Sequence, residues 1–133
     1  MVKNNFELVR DYLLQLEYNI KSEDREEELF IVENLDAGID NLVLECEGNI
    51  LVIELFLFEM QKDNMDTFKQ LLMKNREIVH GAFVLADDGK KVIYRNTLEL
   101  ENLDLNELQG TLNSIEILLS EYANQLINFS KQS

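Results

Sequence analysis

Cys46 and His80 are the only cysteine and the only histidine of the chain, so a thiol nucleophile with an imidazole base would have to be built from this pair. Cys46 shares its strand parity with Leu42 and Leu44, which turns the thiol inward as a small hydrophobe. A zinc site takes several nitrogen or sulfur ligands, and no ligand spacing surrounds either residue. Asp63-Asn64-Met65-Asp66 opens like a calcium loop. However, the position that needs glycine is Phe68 and the position of the bidentate glutamate is Lys74. A helix cap accounts for these residues better. Glu45, Glu47, Glu54 and Glu59 are the candidates for paired acid–base carboxylates, but in a chain with 26 Asp and Glu a solvated acidic face is the default. There is no phosphate-cradling glycine loop and no dinucleotide fingerprint. The expectation is a protein without catalytic residues, metal or cofactor.

The formal net charge of −14 sets the class of partner. Nucleic acid and anionic membranes are negative and would repel such a chain unless its basic residues were concentrated. The 12 Lys and Arg are dispersed, so neither is expected to bind. Basic or amphipathic clients suit the charge. No apolar run approaches the ~18 residues of a membrane-spanning helix, and the first residues have no apolar signal core. One cysteine excludes an intramolecular disulfide. A cytoplasmic location is expected, and 133 residues predict a single domain over 1–133, long enough to bury one core.

The elements around these residues follow from periodicity. Phe6, Val9, Leu13 and Leu16 predict a first helix from about Asn5 to Tyr18, capped by Asn4 or Asn5. Ser22–Glu28 reads as a solvated acidic connection, followed by a strand at Leu29–Glu33 and a turn at Asp36, Gly38 and Asp40. Leu42–Glu47 is a half-buried strand, and Gly48-Asn49 closes a hairpin into Ile50–Phe58. Asp63 or Asn64 caps a second helix reaching about Glu77, with Met65, Phe68, Leu71 and Leu72 on its apolar stripe and Met73 widening it. Ala82–Ala86 and Lys91–Asn96 form a second hairpin around Asp87-Asp88-Gly89-Lys90, where Asp-Gly supplies the turn. Asp104 with Glu107 has capping-box spacing and starts a third helix to about Phe129. Its face is Leu105, Leu108, Leu112, Ile115, Leu119, Tyr122 and Leu126. The fold class is therefore α+β, with an antiparallel five-stranded sheet, three helices and the order α-β-β-β-α-β-β-α.

Ile50–Phe58 is the most informative of these segments, with Glu54 its one polar residue. Strict alternation puts Leu51, Ile53, Leu55 and Leu57 on one face, and Ile50, Val52, Glu54, Phe56 and Phe58 on the other. Leaving Val52, Phe56 and Phe58 in water would forfeit several kcal/mol at roughly 1.5–3 kcal/mol for each buried apolar side chain. Either the first and third helices pack on opposite sides of the sheet, or a partner covers that face. Val52, Phe56 and Phe58 are the expected partner-binding residues.

The stretch from Phe68 through His80-Gly81-Ala82-Phe83-Val84-Leu85 to Ile93-Tyr94-Arg95-Asn96, with the element order over nearly the whole chain, resembles the class I type III secretion chaperones (the Tir chaperone group) and the related YbjN-like bacterial proteins. A helix ends, a Gly-Ala-Phe strand begins, and an Asp-Gly hairpin returns before an acidic helix. The resemblance implies a homodimer built through the second helix and the adjoining hairpin, whose surfaces hold an extended segment of a client protein. Met65, Phe68, Leu72 and Met73 are then the expected dimer interface. The expected function is a small acidic chaperone-like domain that shields an apolar segment of a partner protein. The alternative is a regulatory or signalling adaptor for a small ligand, with His80, Tyr94 and Arg95 as the contributors to its pocket.

Overall fold

In the computed structural model, residues 4–132 are described; Met1–Lys3 and Ser133, the ends of the expected domain, lie outside them. Helix α1 covers Asn5–Gln15, and the Asn4 side chain accepts a hydrogen bond from the Glu7 N–H at 2.8 Å. Strands β1 (Asn19–Asp24) and β2 (Leu29–Asn34) lead through a 3-10 turn at Leu35–Ala37 to β3 (Ile39–Glu47) and β4 (Ile50–Glu59). Helix α2 (Met65–Lys74) is capped by Asn64 on the Thr67 N–H. Strands β5 (Ala82–Leu85) and β6 (Lys91–Glu99) precede α3 (Leu105–Gln132), which Asp104 caps on the Glu107 N–H at 2.7 Å.

The sheet has six antiparallel strands in the order β1-β2-β3-β4-β6-β5. The sixth is β1, drawn from what reads as an acidic connection. Its sequence Asn-Ile-Lys-Ser-Glu-Asp buries almost nothing, so no apolar alternation marks it. It exists because β2 offers it a backbone ladder from Asn19↔Glu33 to Asp24↔Leu29, and its charges suit an edge strand.

One core lies between the sheet and the helices. Phe6, Val9 and Leu13 of α1, Leu71 of α2, and Leu108, Leu112, Ile115, Tyr122, Leu126 and Phe129 of α3 join a single buried cluster. The sheet contributes Phe30, Val32, Leu42, Leu44, Cys46, Leu51, Ile53, Leu55, Phe58, Phe83, Val92 and Tyr94. The rings of Phe6 and Phe30 stack at 4.4 Å, and Phe83 meets Tyr122 edge-on at 6.0 Å. None of the oppositely directed residues Ile31, Val43, Val52, Phe56 or Ile93 belongs to this cluster. The arrangement with helices on both sides is therefore not the one adopted: α1, α3 and, through Leu71, α2 all pack into the one cluster on the same face.

Phe58 departs from the alternation of its strand. Leu55 faces Tyr94 and Phe56 faces Ile93, but the next partner pair is Phe58↔Val92, leaving Leu57 without an opposite residue. This bulge inserts one residue and reverses the parity beyond it. Phe58 accordingly enters the core at 5 % exposure, with its ring 6.4 Å from that of Phe129. It cannot be a partner-binding residue on the outer face. Leu57, assigned by strict alternation to the core, is only half-buried at the bulge.

Candidate protein-binding surfaces

Helix α2 is built with an apolar side left over. Thr67 and Leu71 face inward, and Phe68 is half-buried against the core. Met65, Leu72 and Met73 are 72 %, 69 % and 67 % exposed. Three large apolar side chains on one short helix exceed the scattered exposure normal for a soluble surface. Phe68, Leu71 and Leu72 continue into β5 and β6 through Phe83, Val84, Leu85 and Val92, which together line a shallow cavity of about 220 Å³. Leu85 and Val79 add further exposed apolar surface. Of the four residues expected at a self-association surface, Met65, Leu72 and Met73 are thus accessible, and Phe68 supports them from below.

The end of this surface is held by local polar chemistry. Asn75 follows α2 and acts as a substitute strand for the β5 edge. Its Oδ1 accepts from the Phe83 N–H at 2.8 Å, and its Nδ2 donates to the Phe83 carbonyl at 3.2 Å. The Tyr94 hydroxyl donates to the His80 carbonyl at 2.7 Å. A Cβ on Gly81 would stand 2.5 Å from that hydroxyl, and the residue has a φ of +81°, so only glycine fits beneath the tyrosine. His80, Tyr94 and Arg95 do not converge on a ligand. His80 is exposed, Tyr94 is buried with its hydroxyl engaged, and Arg95 lies on the other face of the sheet, 3.3 Å from Glu54.

The outer face of the sheet separates the remaining candidates. Val52 is buried, although outside the core; Glu45 and Thr97 stand opposite it on the neighbouring strands. Phe56 is 52 % exposed and is the one member of the expected partner-binding trio that presents a large apolar surface. Around them the face is acidic. Burial first, and then the Glu47, Glu27 and Glu54 carboxylates, raise Glu45 above the ordinary glutamate range.

Cys46 lies inside the core, where burial first, then Glu28 and Glu45, push its thiol up to about 11. His80 precedes β5, with β4 and β6 between that strand and β3, so the two residues cannot act on each other. No group of three or more His, Cys, Asp or Glu among the described residues is placed to hold a metal ion. No helix among them is long and apolar enough to cross a membrane.

The model of the family CesT_Tir_1 matches residues 2–132. The chain belongs to that family. Among solved structures it is similar to YbjN from E. coli, described as a putative transcription regulator, at 11 % identity and a TM-score of 0.72, over 94 % of this chain and 95 % of that one. It is also similar to a chain of the HopA1-SchA chaperone-effector complex, at 12 % identity and a TM-score of 0.61, over 94 % of this chain and 91 % of that one. No curated protein matches it. The α+β chaperone-like fold expected from the element order is the fold these neighbours share.

Proposed function

We propose that this chain is a single chaperone-like, protein-binding domain without catalytic activity. In this reading it works in the cytoplasm, pairs with a second copy of itself through α2 and β5, and shields an apolar segment of a partner protein. The observation that carries the reading is the exposure of Met65, Leu72 and Met73 on a helix whose other side is already packed. Membership of a chaperone family and the likeness to a chaperone-effector complex support it. The acidic balance of −14 favours clients that carry positive charge.

The test is light scattering on the purified protein and on the double variant Leu72→Asp, Met73→Asp. Wild type is expected at twice its 15.5 kDa chain mass, and the variant as a folded monomer, because two carboxylates would be buried unpaired at the interface. A wild-type protein that stays monomeric at every concentration overturns self-association through α2.

A further inference from the structure

The two edges of the sheet are built on opposite plans. β1 carries Lys21, Glu23 and Asp24, with a register shift at Lys21; charge and irregularity are ordinary defences of an edge strand. β5 is the other edge, and its sequence Ala-Phe-Val-Leu has neither a charge nor a proline. Alternation identifies its outward backbone. The Ala86 N–H donates to the Lys91 carbonyl of β6, and Val84 stands opposite Ile93. Phe83 and Leu85, of the other parity, therefore turn their N–H and carbonyl groups away from the sheet.

Both outward groups of Phe83 are taken by Asn75, at 2.8 Å from the N–H and 3.2 Å from the carbonyl. A carboxamide presents an acceptor and a donor side by side, as a peptide group does. One side chain thus stands where the backbone of a next strand would run. It is held there from two directions. Asn75 closes α2, with its own N–H bonded to the Leu71 carbonyl at 3.1 Å. Two residues on, Glu77 accepts from the Tyr122 hydroxyl of α3 at 3.0 Å, and Lys74 lies 5.5 Å over the Tyr122 ring. The carboxamide has little freedom to swing off the strand.

A second copy of β5 is the strand this edge fits. A two-fold axis at Val84 sets Phe83 against Leu85 of the second copy, and the reverse, so the outward groups of both residues pair in an antiparallel ladder. The same axis brings the His80 end of one strand to the Asp87 end of the other, so a chain of net charge −14 does not meet itself acid against acid there. The pairing through α2 described above is a different two-fold contact. A chain with one such contact closes at a pair, whereas a chain with two separate ones goes on adding copies.

We propose that Asn75 masks a latent β5–β5 pairing edge, and that this mask confines self-association to the contact through α2. Only the number of copies rests on the α2 reading; the mask itself does not.

The test is light scattering across a dilution series, with amide hydrogen exchange of Phe83 and Leu85 at each step. In Asn75→Ala the mass should climb with concentration to at least twice the wild-type value, and both amides should slow as it climbs. Asn75→Ser, whose hydroxyl is too short to span both Phe83 groups, should do the same. With Leu72→Asp and Met73→Asp added, growth should stop at two chains. With Leu85→Pro added instead, the mass should return to the wild-type value, because proline removes an outward donor and leaves the ladder to β6 intact. Either Asn75 variant, folded and at wild-type mass at every concentration, overturns the proposal. So does a rise in mass that Leu85→Pro leaves in place. A monomeric wild type rejects the pairing through α2, while growth of Asn75→Ala from one chain to two still upholds the mask.

Discussion

From Ile50 to Glu54, β4 has β3 on one side and β6 on the other; from Leu55 onward it has β6 alone. The residues of the two halves are equally apolar, yet they behave differently. In the doubly paired half alternation holds: Leu51 and Ile53 enter the core while Val52 and Glu54 face away. In the singly paired half one neighbour is gone, a residue can be inserted without breaking two ladders, and the bulge at Leu57 sends Phe58 inward and leaves Phe56 out. Periodicity reports the face of a residue only where the ladder enforces the register.

The sharpest way to break this comparison is to truncate the two phenylalanines separately. Phe58→Ala removes a ring packed near Phe129 and should cost about 3–5 kcal/mol in denaturant unfolding. Phe56→Ala removes a half-exposed ring and should cost less than about 1 kcal/mol. Equal costs would mean that the parity is not reversed between them. Changing both rings to Asp together could not separate these outcomes, because the Phe58 substitution alone would unfold the protein.

A smaller effect distinguishes the paired half from the open one by access. Cys46 stands opposite Leu51 in the closed ladder, buried, with its thiol raised to about 11. At neutral pH it should react with a disulfide reagent only on unfolding, since the thiolate is the nucleophile. In a Cys46→Ala background, the half-buried thiol of Leu57→Cys at the bulge should react in the native state, faster than Cys46 and more slowly than a fully exposed thiol. Rapid native labelling of Cys46 would show that β3 and β4 open along their whole length.

What was legible in the sequence follows the same division. Asn4 or Asn5, Asp63 or Asn64, and Asp104 mark three helix starts because a cap is a local interaction, three residues long, and the structure selects Asn4 and Asn64 from the first two pairs. The inward faces of α1 and α3 are legible because 3.6-residue spacing persists over many turns. β1 was not legible: Ile20 is its single apolar residue, and its existence depends on β2 rather than on its own pattern. The bulge at Leu57 was not legible either, since Leu-Phe-Leu-Phe has apolar residues in both registers and nothing in it marks an insertion. Exposure of the α2 stripe was half legible. Met65, Leu72 and Met73 are apolar at helical spacing, but only the packed geometry shows that Thr67 and Leu71 suffice to anchor the helix.

The smallest predicted effect concerns the acidic face over the doubly paired half. Glu45 sits opposite Val52, and its carboxyl titrates above the ordinary 4.5, first through burial and then through Glu47, Glu27 and Glu54. A raised folded-state value means that the native protein binds the proton more tightly than the unfolded chain does. Ionised Glu45 therefore penalises the fold at neutral pH, and the penalty is lifted as pH falls through the raised value. Glu45→Gln should increase the melting temperature slightly at about pH 7, because it removes first the cost of burying the charge and then the repulsion from Glu47, Glu27 and Glu54, together worth about a few tenths of a kcal/mol at this half-exposed site. The gain should shrink on acidification toward the carboxylate range. A Glu45→Gln protein that is less stable at neutral pH would mean that the carboxylate is held by a favourable contact, and that the outer face is organised around it rather than strained by it.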